Sequence, residues 1–191
     1  MMKGLIRPCL IALCFAVAAS AALAQEMIHA VSGTVTAIHP KVGMIEIATD
    51  DGSSGHFKCA KNSGVSYDFS KSVRADATEA DKFTTTGAHV IVFYFGDGDV
   101  RTAVAVQALT EAPIKTITGT VVKFNRHQHL LTIKNSAGAD ESFSMDPKTV
   151  ADTVTGVADD FKFDFDKGQS VHVTASAVNG SEAALLIAPA V

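Results

Sequence analysis

The sequence predicts an all-β protein made of two tandem five-stranded barrels behind a cleaved signal peptide. Three observations carry that expectation. Apolar and polar residues alternate with period two, as where Val31, Gly33 and Val35 interleave with Ser32, Thr34 and Thr36, the spacing of a half-buried strand. Glycine-bearing turns separate the alternating runs, among them Asp51-Gly52, Gly96-Asp97-Gly98 and Asn179-Gly180; such pairs tolerate positive φ and favour tight hairpins. The pattern also occurs twice, because residues 31–59 align without a gap on 117–145 at an offset of 86. Only six of those 29 positions are identical, so apolar patterning carries the repeat.

Residues 1–24 come first. Lys3 and Arg7 precede an apolar run from Leu10 to Ala19, and Ala22-Leu23-Ala24 ends the segment, which reads as a secretory signal cleaved after Ala24. The expected location is the periplasm or the medium. Of 191 residues 167 remain, and loss of two basic residues with the signal moves the net charge from −4 to −6. That balance argues against nucleic acid as a partner. No later run is long and apolar enough for a transmembrane segment. Cys9 and Cys14 leave with the signal, so Cys59 has no partner for an internal disulfide. It shares a strand face with Phe57, which favours a small buried apolar role over a reactive or metal-binding thiol.

The first unit spans residues 25–110 and the second 116–191, with a linker at 111–115 that contains Pro113. In the first, three meandering strands turn at 40–43 and at Asp51-Gly52. A longer connection follows, in which residues 72–81 suit a short helix, and a hairpin around Gly96-Asp97-Gly98 closes the unit. In the second, residues 149–159 are the weaker counterpart of that helix. From Gly87 and Gly168 onward the offset becomes 81 rather than 86, which places the length difference in a surface connection. Five short strands interrupted once, after the third, match an OB-like barrel.

Gly33-Thr34-Val35, its counterpart Gly119-Thr120-Val121, the run Phe143-x-Met145-x-Pro147-x-Thr149, and Gly168-x-x-Val171-x-Val173 together resemble the tandem OB-like repeats of exported bacterial proteins of unknown function. The pattern is also similar, more distantly, to periplasmic copper-chaperone barrels. That second resemblance implies a soft-metal site of one His, a Met-x-Met pair and a capping Trp. The chain contains no Trp, and Met145 stands between Ser144 and Asp146. No ligand carries over from that family.

The remaining chemistry-bearing candidates are few. His127-Gln128-His129 lies in the first turn of the second unit, and i, i+2 side chains on a strand share a face, so His127 and His129 are candidate ligands of one divalent ion. A solvated turn is the competing reading. Asp160, Lys162, Asp164 and Asp166 alternate with Phe161, Phe163 and Phe165, an edge strand or extended segment with a charged face. Gly96-Asp97-Gly98-Asp99 lacks the spacing and terminal Glu of a calcium loop. No Gly-x-Ser-x-Gly elbow or phosphate-cradling loop occurs. The expectation is therefore a non-enzymatic exported binding or adaptor module with no required cofactor, whose partner is a periplasmic protein or small ligand. One alternative is a copper or zinc protein using His127 and His129 with Met145 or Cys59; another is a structural component of the cell envelope.

Overall fold

A computed structural model describes residues 27–61, 76–109, 113–178 and 181–190. The expected signal peptide, residues 111–112 of the expected linker and the Asn179-Gly180 turn lie outside the described residues. The protein is all-β, and no helix among the described residues is long and apolar enough to cross a membrane.

Strands β1 (His29–His39), β2 (Met44–Thr49) and β3 (Ser54–Cys59) form the expected meander. After β4 (Ala77–Glu79), β5 (His89–Phe95) and β6 (Val100–Ala108) form the expected hairpin. The ladder order β3-β2-β1-β5-β6 closes on itself because β3 and β6 pair in parallel, from His56 opposite Val100 to Cys59 opposite Ala103. The result is a closed five-stranded barrel with OB-like connectivity. Alternation decides which side chains enter it: Phe57 and Cys59 of β3 point inward while Ser54, His56 and Lys58 stay exposed. Gly33 lies where β1 crosses tightly over β2, and a Cβ there would run into the Ala48 carbonyl oxygen.

The second sheet contains β7 (Ile114–Asn125), β8 (Leu130–Asn135), β9 (Asp140–Ser144), β10 (Val150–Thr153), β11 (Gly156–Ala158), β12 (Ser170–Val178) and β13 (Ser181–Pro189). Its order is β11-β10-β13-β12-β7-β8-β9, and a bridge between Ala183 and Ser144 joins β13 to β9. Several local features recur at the sequence offsets. The bulge between Val35 and Ala37 has a counterpart between Val121 and Lys123, and that between Phe93 and Tyr94 one between Thr174 and Ala175. Gly119 pairs with Asn135 as Gly33 does with Thr49, and a Cβ on Gly119 would lie 2.6 Å from the Lys134 carbonyl oxygen.

Three expectations about the connections need correction. Residues 72–75 of the expected helix lie outside the described residues and Asp76 is helical, but the expected span ends early: Ala77–Glu79 pairs with β6, and Ala80–Lys82 is a single 3-10 turn. From Ala77 onward the open edge of β6 supplies ladder partners instead. Residues 149–159 form the β10–β11 hairpin instead of a helix. Val150, Thr153, Val154, Thr155 and Val157 are β-branched, and Gly156 supplies the φ of +94° at the turn. The strand β7 starts at Ile114, so the sheet takes up the last two residues of the expected linker.

Asp160 and Phe161 form a turn and residues 162–166 join no ladder. Their alternation holds: Phe163 and Phe165 are buried in the core of the second sheet, Phe161 packs at its margin, and Asp164 is exposed. A third apolar cluster lies between the sheets. Ala30, Ile91, Phe93, Val104 and Ala105 from the first meet Val150 and Leu186 from the second, so the outer wall of the barrel is itself buried. Ile91 and Phe93 are fully covered, each worth about 1.5–3 kcal/mol relative to exposure. Polar contacts stitch the margin of this interface: His29 to Asp152 at 2.9 Å, Lys148 to Asp76 at 2.7 Å, and the Val157 amide to the Ile28 carbonyl at 2.7 Å.

Candidate functional site

Beside the apolar interface the two sheets diverge and leave a cleft of about 610 Å³, within the roughly 300–1,000 Å³ range of small-molecule sites. Strand register builds one wall. Val171 and Val173 point into the core, so His172 and Thr174, which alternate with them, face the other way, into the cleft. The ladder sets His172 between Thr118 and Ala188, and Thr174 between Thr116 and Leu186. The opposite wall comes from Ala30, Val31 and Ser32 on β1 and from Asp50, Asp51 and Ser53 in the β2–β3 turn. Gly52 makes that turn possible with a φ of +88°.

A polar network locks the walls together at the back of the cleft. The Ser32 and Thr174 hydroxyls meet at 2.6 Å, both buried. Thr174 also donates to Asp50 Oδ2 at 3.2 Å, and the same oxygen lies 3.0 Å from His89 Nε2. Burial opposes ionisation of Asp50, but hydrogen bonds with His89, Ser32 and Thr174 and the charge of His89 outweigh it, holding the carboxyl below its ordinary value. Asp51, exposed at the tip of the turn, is also held low: Thr49 donates to it at 2.5 Å, the Ser53 amide donates at 2.9 Å, and His172 adds a weaker electrostatic pull. His172 Nδ1 is 2.7 Å from the Thr118 hydroxyl, whereas its Nε2 is buried without a hydrogen-bond partner. A cleft with two ionised carboxylates, several hydroxyls and an unsatisfied ring nitrogen can bind a small molecule.

No protein-family model matches the chain, and no curated protein matches it. Among solved structures it is similar, at 14% identity, to the crystal structure of Ag(I)CusF. That match covers 41% of this chain and 100% of the other, with a TM-score of 0.33.

The residues singled out as metal candidates stand elsewhere. His127 and His129 sit in the exposed β7–β8 turn and not on a strand, so the shared-face argument does not apply to them. His129 adopts a φ of +52° and stacks on Phe161 with ring centroids 3.9 Å apart. Met145 approaches this turn through its amide, which donates to the His129 carbonyl at 2.8 Å, but its side chain is in the core. Cys59 is buried in the core of the other sheet, where burial and then the charge of Asp81 push its thiol up; metal ligation needs the thiolate. Among the described residues no three His, Cys, Asp or Glu side chains gather as a metal site. The cleft residues were legible only as outward positions of ordinary strands. The run Val171-His172-Val173-Thr174 marks a polar face, but nothing local marks what covers it.

Proposed function

We propose that the protein is a non-enzymatic, exported binding module: two OB-like barrels, arisen by duplication, that hold a small ligand in the cleft between them. The cleft carries the reading, because its walls are fixed by the buried Ser32–Thr174–Asp50–His89 network rather than left to close on a ligand. Reading the second sheet as a second barrel is supported by its strand order, the coincident bulges and the β9–β13 bridge. Export to the periplasm is supported by residues 1–24, and the binding role by the absence of catalytic motifs in the sequence.

The test is a small-molecule screen by thermal shift and NMR, run in parallel on the protein and on Ala188→Phe. Ala188 lines the cleft and takes no part in the network, so the larger side chain fills the space and leaves the walls joined. Ligands that bind the parent and lose at least tenfold in affinity with Ala188→Phe support the reading. Binding that survives the substitution, or turnover of a hydrolase substrate panel by the purified protein, overturns it.

A further inference from the structure

We propose that the cleft takes a small organic cation through a primary ammonium group, with Asp51 receiving the charge, His172 and Thr118 receiving further N–H donors, and Val31, Ala188 and Pro189 flanking the aliphatic body. The proposal rests on the cleft being the binding site and adds the chemical class of its ligand.

Charge excludes the alternatives first. The lining holds two carboxylates and no Lys or Arg, so an anion would enter against like charge with no partner to receive it. Asp50 is already committed, its Oδ2 shared by His89 and Thr174. Asp51 is exposed at the mouth, and its bonds come from the turn that bears it. That leaves an accessible negative charge beside apolar surface, the pairing that recognises an alkylammonium ion rather than a hydrated inorganic cation. Donor inventory then narrows the head group. An ammonium ion carries three donors and no acceptor. The wall presents a carboxylate, the Thr118 hydroxyl, and the Nε2 of His172, a buried atom with no hydrogen-bond partner among the protein groups. The proposal takes the tautomer in which Nδ1–H donates to Thr118, which leaves Nε2 as an acceptor for a donor entering the cleft. A neutral polyol could use the hydroxyls and donate to Asp51 but would bring no counter-charge to it. A divalent metal would find fewer than three ligating side chains together among the described residues.

The experiment titrates isotope-labelled protein at low ionic strength with butylammonium, 1-butanol and butyrate, following amide shifts at Thr118 and His172. Saturable shifts with butylammonium alone are expected. Asp51→Asn should weaken them at least tenfold, and Asp51→Glu, which keeps the charge, should retain affinity within about threefold. Equal binding of 1-butanol, no shift with any of the three probes, or equal loss in both Asp51 variants overturns the ammonium assignment. The Ala188→Phe variant separates this result from the broader reading. Butanol shifts abolished by Ala188→Phe would retain the cleft as a site and reject the ammonium class, whereas butylammonium shifts that persist in Ala188→Phe would reject both.

Discussion

Asp50 and Asp152 are half-buried carboxylates at the seam between the two sheets, and their surroundings push them in opposite directions. Burial opposes ionisation at both. At Asp50 the hydrogen bonds of His89, Ser32 and Thr174 prevail and the folded carboxyl lies below its ordinary 3.8; at Asp152 burial prevails over His29 and the carboxyl lies above it. The signs follow by linkage. A lowered value contributes stability above pH 3.8 that is lost as pH falls through the folded value, whereas a raised value contributes stability below pH 3.8 that is lost as pH rises through the folded value. Asp50→Asn should therefore destabilise the protein at pH 7 by about 1–3 kcal/mol, the cost of leaving buried donors poorly matched, and that deficit should shrink toward pH 3. Asp152→Asn should move the other way, comparing best with the parent at pH 7. Urea midpoints at pH 3, 5 and 7 check both; parallel pH profiles for the two variants would refute the assignment. Neither role was legible locally. Cys59 and Phe57 could be assigned to a core from their own neighbours, but Asp50 acquires its role from Thr174, 124 residues away, and a single sequence does not mark such a partner.

At the scale of elements, the long strands were legible and the short ones were not. The meander and hairpin of each sheet follow from period-two alternation between glycine turns, and the structure places positive φ at Gly43, Gly52, Gly96, Gly98 and Gly138. The strands β4, β10 and β11 have three or four residues each. Their own patterning is too brief to specify them, and they exist because β6 offers β4 a ladder partner, β13 offers one to β10, and β10 in turn to β11. The segment 160–166 lies between these cases. Its alternation correctly sorts Phe from Asp, yet the Phe side chains belong to the core and the backbone to no ladder. Asp160 and Phe161, at φ of +52° and +58°, turn the chain so that Phe163 and Phe165 reach Phe124, with centroids 5.9 and 5.7 Å from it. Arg126 pins the turned segment by donating to the Phe163 carbonyl at 2.8 Å. Phe163→Ala should cost about 3–5 kcal/mol, while Asp164→Ala, which removes an exposed side chain from a surface ion pair, should stay within about 0.5 kcal/mol. Chemical denaturation of the two variants side by side decides it, since equal costs would mean that the segment does not seal the core.

The whole molecule depends on a face that an isolated barrel would expose to water. Antiparallel hairpins commonly keep one side wet, yet Val90, Ile91, Val92 and Phe93 of β5 are all buried. Val90 and Val92 fill the barrel; Ile91 and Phe93 face the other way, into the cluster shared with Val150 and Leu186. The sequence carries a trace of this, because residues 90–95 run apolar without a polar alternate. A strand apolar on both faces must be covered on both. What covers it comes from strands more than 50 residues later in the chain, which is why the docking geometry and the cleft beside it could not be read in advance. The interface makes the two sheets one cooperative unit, so the protein should unfold in a single calorimetric transition. Ile91→Asp tests this without entering either sheet's own core. The buried charge has no partner in the cluster and drives the faces apart, so two separate transitions should replace one. Far-ultraviolet circular dichroism should keep its β signature, and the radius of gyration by small-angle scattering should rise. Because Thr174 meets Ser32 and Asp50 only when the sheets are docked, the same substitution should also abolish any ligand-induced shift at His172. A single transition at the parental temperature in Ile91→Asp would mean that the outer face of β5 does not hold the molecule together, and the cleft would then lack the rigid walls on which binding depends.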